Sequence, residues 1–157
     1  MTKAIPNGYH TLTPSFTFKD CKKAIDFYKK AFNAEVLDNM PGLDGTGTMH
    51  ATLKIGNSIL MMGDEMPGGN CKSAESLGHS PITLYLYVPD ADSAFQQAVS
   101  AGGEVAMPVA DMFWGDRSGT VKDPFGYVWM IATHKKDLTK DQIQQGAKAF
   151  FEQMSKK

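Results

Sequence analysis

Two cysteines, four histidines and no long apolar run mark this 157-residue chain, and each scarcity closes off a class of function. Cys21 and Cys71 stand in unrelated contexts without metal-type spacing, which excludes a disulfide scaffold and predicts free thiols in a reducing compartment. No stretch approaches the roughly eighteen consecutive apolar residues that a membrane-spanning helix needs, and the opening Met-Thr-Lys-Ala-Ile-Pro-Asn-Gly has no signal-peptide core. A cytoplasmic protein is expected. Sixteen Lys and Arg balance seventeen Asp and Glu, a formal net charge of -1 with no block of one sign, so neither nucleic acid nor a membrane surface is an expected partner. Gly68-Gly69 and Gly102-Gly103 lack the spacing and the lysine of a phosphate loop. There is no nucleophile elbow, and no cysteine lies in an electropositive loop.

What the chain does have is an ordinary apolar content of 42% and a length suited to one compact domain, residues 1–157, built as two halves around a shared core. Thr11 to Phe18 is rich in β-branched and aromatic residues and reads as a strand. Asp20 is placed to cap a helix whose apolar stripe is Cys21, Ala24, Ile25, Tyr28 and Phe32. Three more strands are predicted at Ala34–Met40, Thr48–Ile55 and Ser58–Met62, separated by the turn signals Pro41-Gly42, Asp44-Gly45 and Gly56-Asn57. The order is β-α-β-β-β.

That order returns about 70 residues later. Pro81 to Val88 reads as a strand, Asp90 as a cap, and Ala91, Ala94, Phe95, Ala98 and Val99 as a helical stripe ending at Gly102-Gly103. Asp90, Phe95 and Gly126 lie 70 positions after Asp20, Ile25 and Gly56, and Asn33-Ala-Glu-Val echoes Gly102-Gly-Glu-Val at an offset of 69. A duplicated unit is implied, since each half alone leaves one sheet face uncovered. The expected modules are 9–65 and 81–135. The connector 66–80 is poor in apolar residues and reads as a mobile loop, either a surface connector or a flap. A final helix within 137–155 has Thr139 and Gln142 spaced as a capping box, and its stripe of Ile143, Ala147, Phe150, Phe151 and Met154 is suited to docking on this chain or on a second subunit.

The helix signature Asp20-Cys-Lys-Lys-Ala-Ile-Asp-Phe-Tyr-Lys-Lys-Ala-Phe-Asn-Ala-Glu and Asp123-Pro-Phe-Gly-Tyr-Val-Trp, set in tandem modules, resemble the vicinal oxygen chelate superfamily of glyoxalase I, bleomycin-resistance proteins and extradiol dioxygenases. Met49-His-Ala-Thr-Leu-Lys-Ile-Gly-Asn-Ser-Ile-Leu-Met and Phe113-Trp-Gly-Asp-Arg look like its PhnB-like branch. The resemblance implies an α+β fold, a curved mixed sheet from two βαβββ modules around a cleft, and a divalent metal held in the enzymes by two positions per module. Those positions fall here on Thr13, Leu60, Thr83 and Met130. None supplies the carboxylate, imidazole or thiolate that such ions need, so no metal and no other cofactor is expected. Glyoxalase-type isomerisation and extradiol cleavage, which depend on that metal, are not expected either. Asn33 stands where similar sequences usually carry Gly, a local change at the helix end.

The function expected is therefore metal-independent binding of a small molecule by a homodimer of the glyoxalase/bleomycin-resistance type. The alternative is a metal-dependent lyase, isomerase or dioxygenase whose ligands have moved to residues such as His50 and Glu65. With Thr13, Thr83 and Met130 facing the cleft as the resemblance implies, period-two alternation takes Ser15, Thr17 and Val128 with them, while Phe16, Phe18, Tyr127, Trp129 and Ile131 face the packed layer. Leu60 is assigned to the cleft by its metal-position count. Trp114 can stack on a flat ligand and Arg117 can pair with an anionic group. The same segment also reads as a hairpin tied internally by Asp116 and Arg117. His50 can exchange a proton near neutral pH or serve as a satisfied strand residue.

Overall fold

In the computed structural model, which describes residues 2–155, the chain forms two four-stranded mixed sheets and four helices. The first module contains β1 (Ser15–Phe18), α1 (Cys21–Phe32), β2 (Glu35–Met40), β3 (His50–Ile55) and β4 (Ser58–Asp64). After a four-residue helix α2 (Ala74–Leu77), the second module contains β5 (Thr83–Tyr87), α3 (Ala91–Ser100), β6 (Glu104–Asp111), β7 (Asp116–Lys122) and β8 (Val128–His134), and α4 (Lys140–Met154) closes the chain. Strand orders are β1-β4-β3-β2 and β5-β8-β7-β6, with the outer pair of each sheet, β1 with β4 and β5 with β8, parallel. The α+β architecture with two β-α-β-β-β units is the one the repeat predicts. The first strand is shorter than expected, because Pro14 has no N–H for a ladder and pairing begins only at Ser15.

The repeat extends to the way each helix is fastened. Asp20 and Asp90 each accept from the third residue of their helix, Lys23 N and Ser93 N, both at 3.1 Å. At the first helical amides, Asp64 accepts from Cys21 at 2.6 Å and Thr133 accepts from Ala91 at 2.8 Å. Both acceptors sit near the end of their module's last strand, so the strand end satisfies a helix donor that would otherwise be orphaned.

One face of each sheet packs on its helix, and the two packed faces meet in a single aromatic core. Phe16 and Phe18 from β1, Tyr28 and Phe32 from α1, and Phe125, Tyr127 and Trp129 from the second module are all buried. Ring centroids of Phe32 and Trp129 are 4.5 Å apart, and those of Phe16 and Tyr127 5.1 Å, within the range where aromatic pairs add to simple area burial. The α1 helix ends on Asn33, in the left-handed region at φ 54°. Its side-chain oxygen accepts a hydrogen bond from Gln97 of α3 at 2.9 Å.

The connector carries more structure than its composition suggests. Ser73 caps α2, Glu65 accepts from both the amide and the hydroxyl of Ser73, and Ala74 is buried against Gly126. The capping box of α4 forms as expected, with Thr139 and Gln142 bonding reciprocally. No described residue of α4 is buried; Phe150 and Phe151 pack at a tilt against Phe113, and Gly146 lies against that ring's root.

Candidate functional site

The face of the second sheet turned away from α3 is organised by strand register. Asp116 lies opposite His134, Ser118 lines up with Ala132 and Tyr87, Thr120 with Met130 and Tyr85, and Lys122 with Val128 and Thr83. Side chains two apart on a strand share a face, so Thr83, Tyr85 and Tyr87 point the same way. The tyrosine hydroxyls both end on Oδ2 of Asp116, at 3.1 Å from Tyr85 and 2.9 Å from Tyr87. Since the tyrosines start on edge strand β5 and their hydroxyls end on β7, their rings cross β8. Ala132 and Ser118 beneath are fully buried, while Tyr85 and Tyr87 remain 43% and 60% exposed.

Trp114 completes the wall. Its Nε1–H is shared between the Tyr85 hydroxyl and Oδ2 of Asp116, each at 3.2 Å. The hairpin that presents it needs glycine at 115, where φ is 102° and a Cβ would collide with the Lys136 carbonyl. The other Asp116 oxygen bonds Nδ1 of His134 at 2.8 Å, and Nε2 of His134 bonds Asp137 at 2.9 Å.

The electrostatics follow from these contacts. Burial works to raise the Asp116 pKa, but its donors, His134 first, outweigh burial and hold the carboxyl below the usual range. The hydrogen bond to that carboxylate pushes the Tyr87 hydroxyl up to about 12, and burial raises Tyr85 as well, so both phenols stay protonated. His134 is raised by Asp116 and then by Asp137. Between the modules, a cavity of about 490 Å³ is lined by Tyr85 and Tyr87 together with Phe32, Asn33 and Gln97.

The residues named from sequence fall into separate groups. Trp114, Thr83, Val128 and Met130 share the open face of the second sheet, the last two half-buried. Ser15 lies on the open face of the first sheet, with Thr13 just before β1, where its hydroxyl donates to the His10 carbonyl. His50 is half-buried there, its Nε2 3.1 Å from the Thr52 hydroxyl, and Tyr9 also approaches that hydroxyl. Leu60 does not join this face: it is 5% exposed within the core, because Met61, its neighbour, pairs with Ser15 and takes the open side. Arg117 points to the opposite face of β7. There Asp92 grips it at 2.6 and 2.7 Å and Asp111 at 3.2 Å, which raises the guanidinium pKa and uses most of its donors. It braces α3 to the β6–β7 hairpin, and the hairpin is tied internally through Asp116.

Tyr85, Tyr87, Ser118 and His134 were not singled out by sequence reasoning. The signal existed, since alternation from Thr83 reaches Tyr85 and Tyr87, and alternation from Met130 reaches His134. At the four positions where the metal-dependent relatives would place ligands, threonine, leucine, threonine and methionine do not fit a divalent ion. Glu65, whose pKa is lowered to about 2 chiefly by the Ser73 hydroxyl, is committed to the α2 cap. His134 meets its two carboxylates through opposite ring nitrogens, so these three do not converge on one point. Among the described residues no cluster of three or more His, Cys, Asp or Glu is arranged to hold a metal ion.

Comparison with known proteins agrees with this architecture. The family model for the Glyoxalase/Bleomycin resistance protein/Dioxygenase superfamily matches residues 10–131. An uncharacterized Mycobacterium bovis protein, Mb0911c, is 41% identical over 136 residues, covering 85% of this chain and 89% of its own. Among solved structures, TioX from Micromonospora sp. ML1 superposes with a TM-score of 0.65 at 25% identity, over 80% of this chain and 98% of its own. The PhnB protein from Bacillus cereus, described as a putative 3-demethylubiquinone-9 3-methyltransferase, gives 0.62 at 19%, over 79% and 99%. TnmS3, an antibiotic binding protein from Streptomyces sp. CB03234, gives 0.61 at 22%, over 85% and 100%. With the matched model spanning both modules, the chain belongs to the glyoxalase/bleomycin resistance protein/dioxygenase superfamily, with PhnB-like proteins among its structural neighbours.

Proposed function

We propose that this protein binds flat aromatic small molecules, without a metal, on the open face of its second sheet. The observation that carries the reading is the wall of Tyr85, Tyr87 and Trp114, fastened to one buried carboxylate and still open to solvent. Rings held by hydrogen bonds at their polar ends lose little freedom on meeting a ligand, which is how preorganised aromatic surfaces gain affinity. Met130 and Val128 supply adaptable apolar floor beside them. TnmS3, an antibiotic binding protein, shares this fold.

The same reading includes a homodimer in the cytoplasm, its modules at 9–65 and 81–135 sharing one core. Apolar side chains stand exposed on two edge strands, Val36, Leu37 and Met40 on β2 and Val105 and Met107 on β6. Edges of this kind are normally covered. Light scattering at micromolar concentration is expected to give twice the chain mass of 17.1 kDa.

Ligand binding is tested by calorimetric titration with neutral tricyclic aromatics, with Trp114→Leu as the control. Saturable binding that the substitution weakens at least several-fold supports the reading. Binding unaffected by it, or none across the series, overturns it.

A further inference from the structure

The hydrogen-bond economy of the aromatic wall selects the charge of what it binds. All three polar ends of the wall, two phenol O–H groups and one indole N–H, point inward to Oδ2 of Asp116. None is left to receive an anionic group on a ligand. The nearby guanidinium of Arg117 is spent on Asp92 and Asp111 across the strand. His134 is held between Asp116 and Asp137, so the three together carry a negative charge even when the imidazole is protonated.

Donation to a carboxylate also changes the rings. A phenol that shares its proton with an anion becomes more electron-rich, and its face attracts positive charge more strongly. Tyr85 and Tyr87 present two such rings, with centroids 5.1 Å apart and planes inclined by 32°.

We infer that the site prefers a cationic or strongly electron-poor flat aromatic over an anionic one. The inference rests on the binding reading above and adds the ligand's charge to it. The ring system sits on Tyr85, Tyr87 and Trp114, and the positive charge lies over the phenol faces.

A matched series separates the two claims: N-methylacridinium, acridine and acridine-9-carboxylate share one ring system and at pH 8 are cationic, neutral and anionic. Calorimetric and fluorescence titration of the full chain is expected to show N-methylacridinium binding roughly 10-fold tighter than acridine, the carboxylate weakest, and the gap narrowing with salt. Tyr87→Phe, which keeps the ring but breaks the link to Asp116, is expected to shrink the cation's advantage to about 3-fold or less. Asp116→Asn is expected to erase it, and Tyr87→Phe decides the matter should Asp116→Asn fail to fold. Equal binding of all three, or preference for the carboxylate, overturns the charge inference and leaves aromatic binding standing. Cation binding that survives Trp114→Leu places it elsewhere and overturns the inference. Failure of all three probes to bind overturns both claims.

Discussion

The Tyr28 hydroxyl donates to the Asp123 carboxylate at 2.6 Å, joining the helix of the first module to the β7–β8 turn of the second deep inside the protein. Three other groups, the indole of Trp129 and the amides of Phe125 and Tyr127, converge on the same carboxylate. Among the described residues no cationic side chain pairs with it. Burial raises its pKa, and the donors oppose that rise. The group therefore depends on each donor, because a buried anion that loses a partner cannot turn to water.

Replacing Tyr28 by Phe keeps the packing and removes one donor. The expected loss is about 1.5–3 kcal/mol in unfolding free energy, the range for buried hydrogen bonds to charged groups. Urea denaturation checks it, with an unchanged m-value showing that the same surface is still exposed on unfolding.

His134 gives a pH signature. Its folded pKa is raised by Asp116 and Asp137. A raised histidine pKa contributes stability that is fully present below the unfolded value near 6.5 and is lost as pH rises through the folded value. Asp116, with a lowered pKa, works oppositely: its contribution is present above the unfolded value and is lost as pH falls through the folded one. Melting temperature measured across neutral pH is expected to fall more on the alkaline side in the natural protein than in His134→Gln, and proton NMR of the imidazole is expected to titrate above its free value.

The two tryptophans are separable. Trp129 is 3% exposed and bonded to Asp123, while Trp114 is half-buried on the binding wall. Trp114→Phe is expected to remove most acrylamide-quenchable fluorescence with little change in stability. Trp129→Phe is expected to leave that quenching in place and to lower stability by about 1–3 kcal/mol through the donor lost to the buried Asp123 carboxylate.

Gly119 marks where α3 presses on β7. A Cβ there would stand 2.7 Å from Cε2 of Phe95 and 2.9 Å from Cγ2 of Val109. Gly119→Ala is expected to cost about 1–3 kcal/mol by overpacking, while the companion change Phe95→Leu restores part of the loss in chemical denaturation.

Much of the fold was legible because it rests on local rules. Asp20 and Asp90 announce helices, alternation separates Phe16 and Phe18 from Ser15 and Thr17, and Thr139 with Gln142 marks the last helix. The candidate site was less legible for two reasons. Its centre is a carboxylate on β7 that gathers side chains from β5, β8 and the hairpin, and such convergence is a property of strand register, which no single segment encodes. Arg117 and Asp116 are adjacent in sequence yet lie on opposite faces of one strand, so a segment read as one unit divides into a brace and a binding wall. Leu60 shows the cost of counting along a strand: an error of one position exchanges cleft for core.

Asn33 ends α1 where a glycine would have served the backbone with less strain. A glycine there would stop the helix and do nothing more. The carboxamide instead takes a hydrogen bond from Gln97, which donates also to the Lys30 carbonyl, so the stop signal of one helix doubles as a tether to the other. In the second module the equivalent helix ends on Ala101 in an ordinary right-handed conformation. The two copies are thus unequal at a point where they touch, and termination in one half sets the alignment of both.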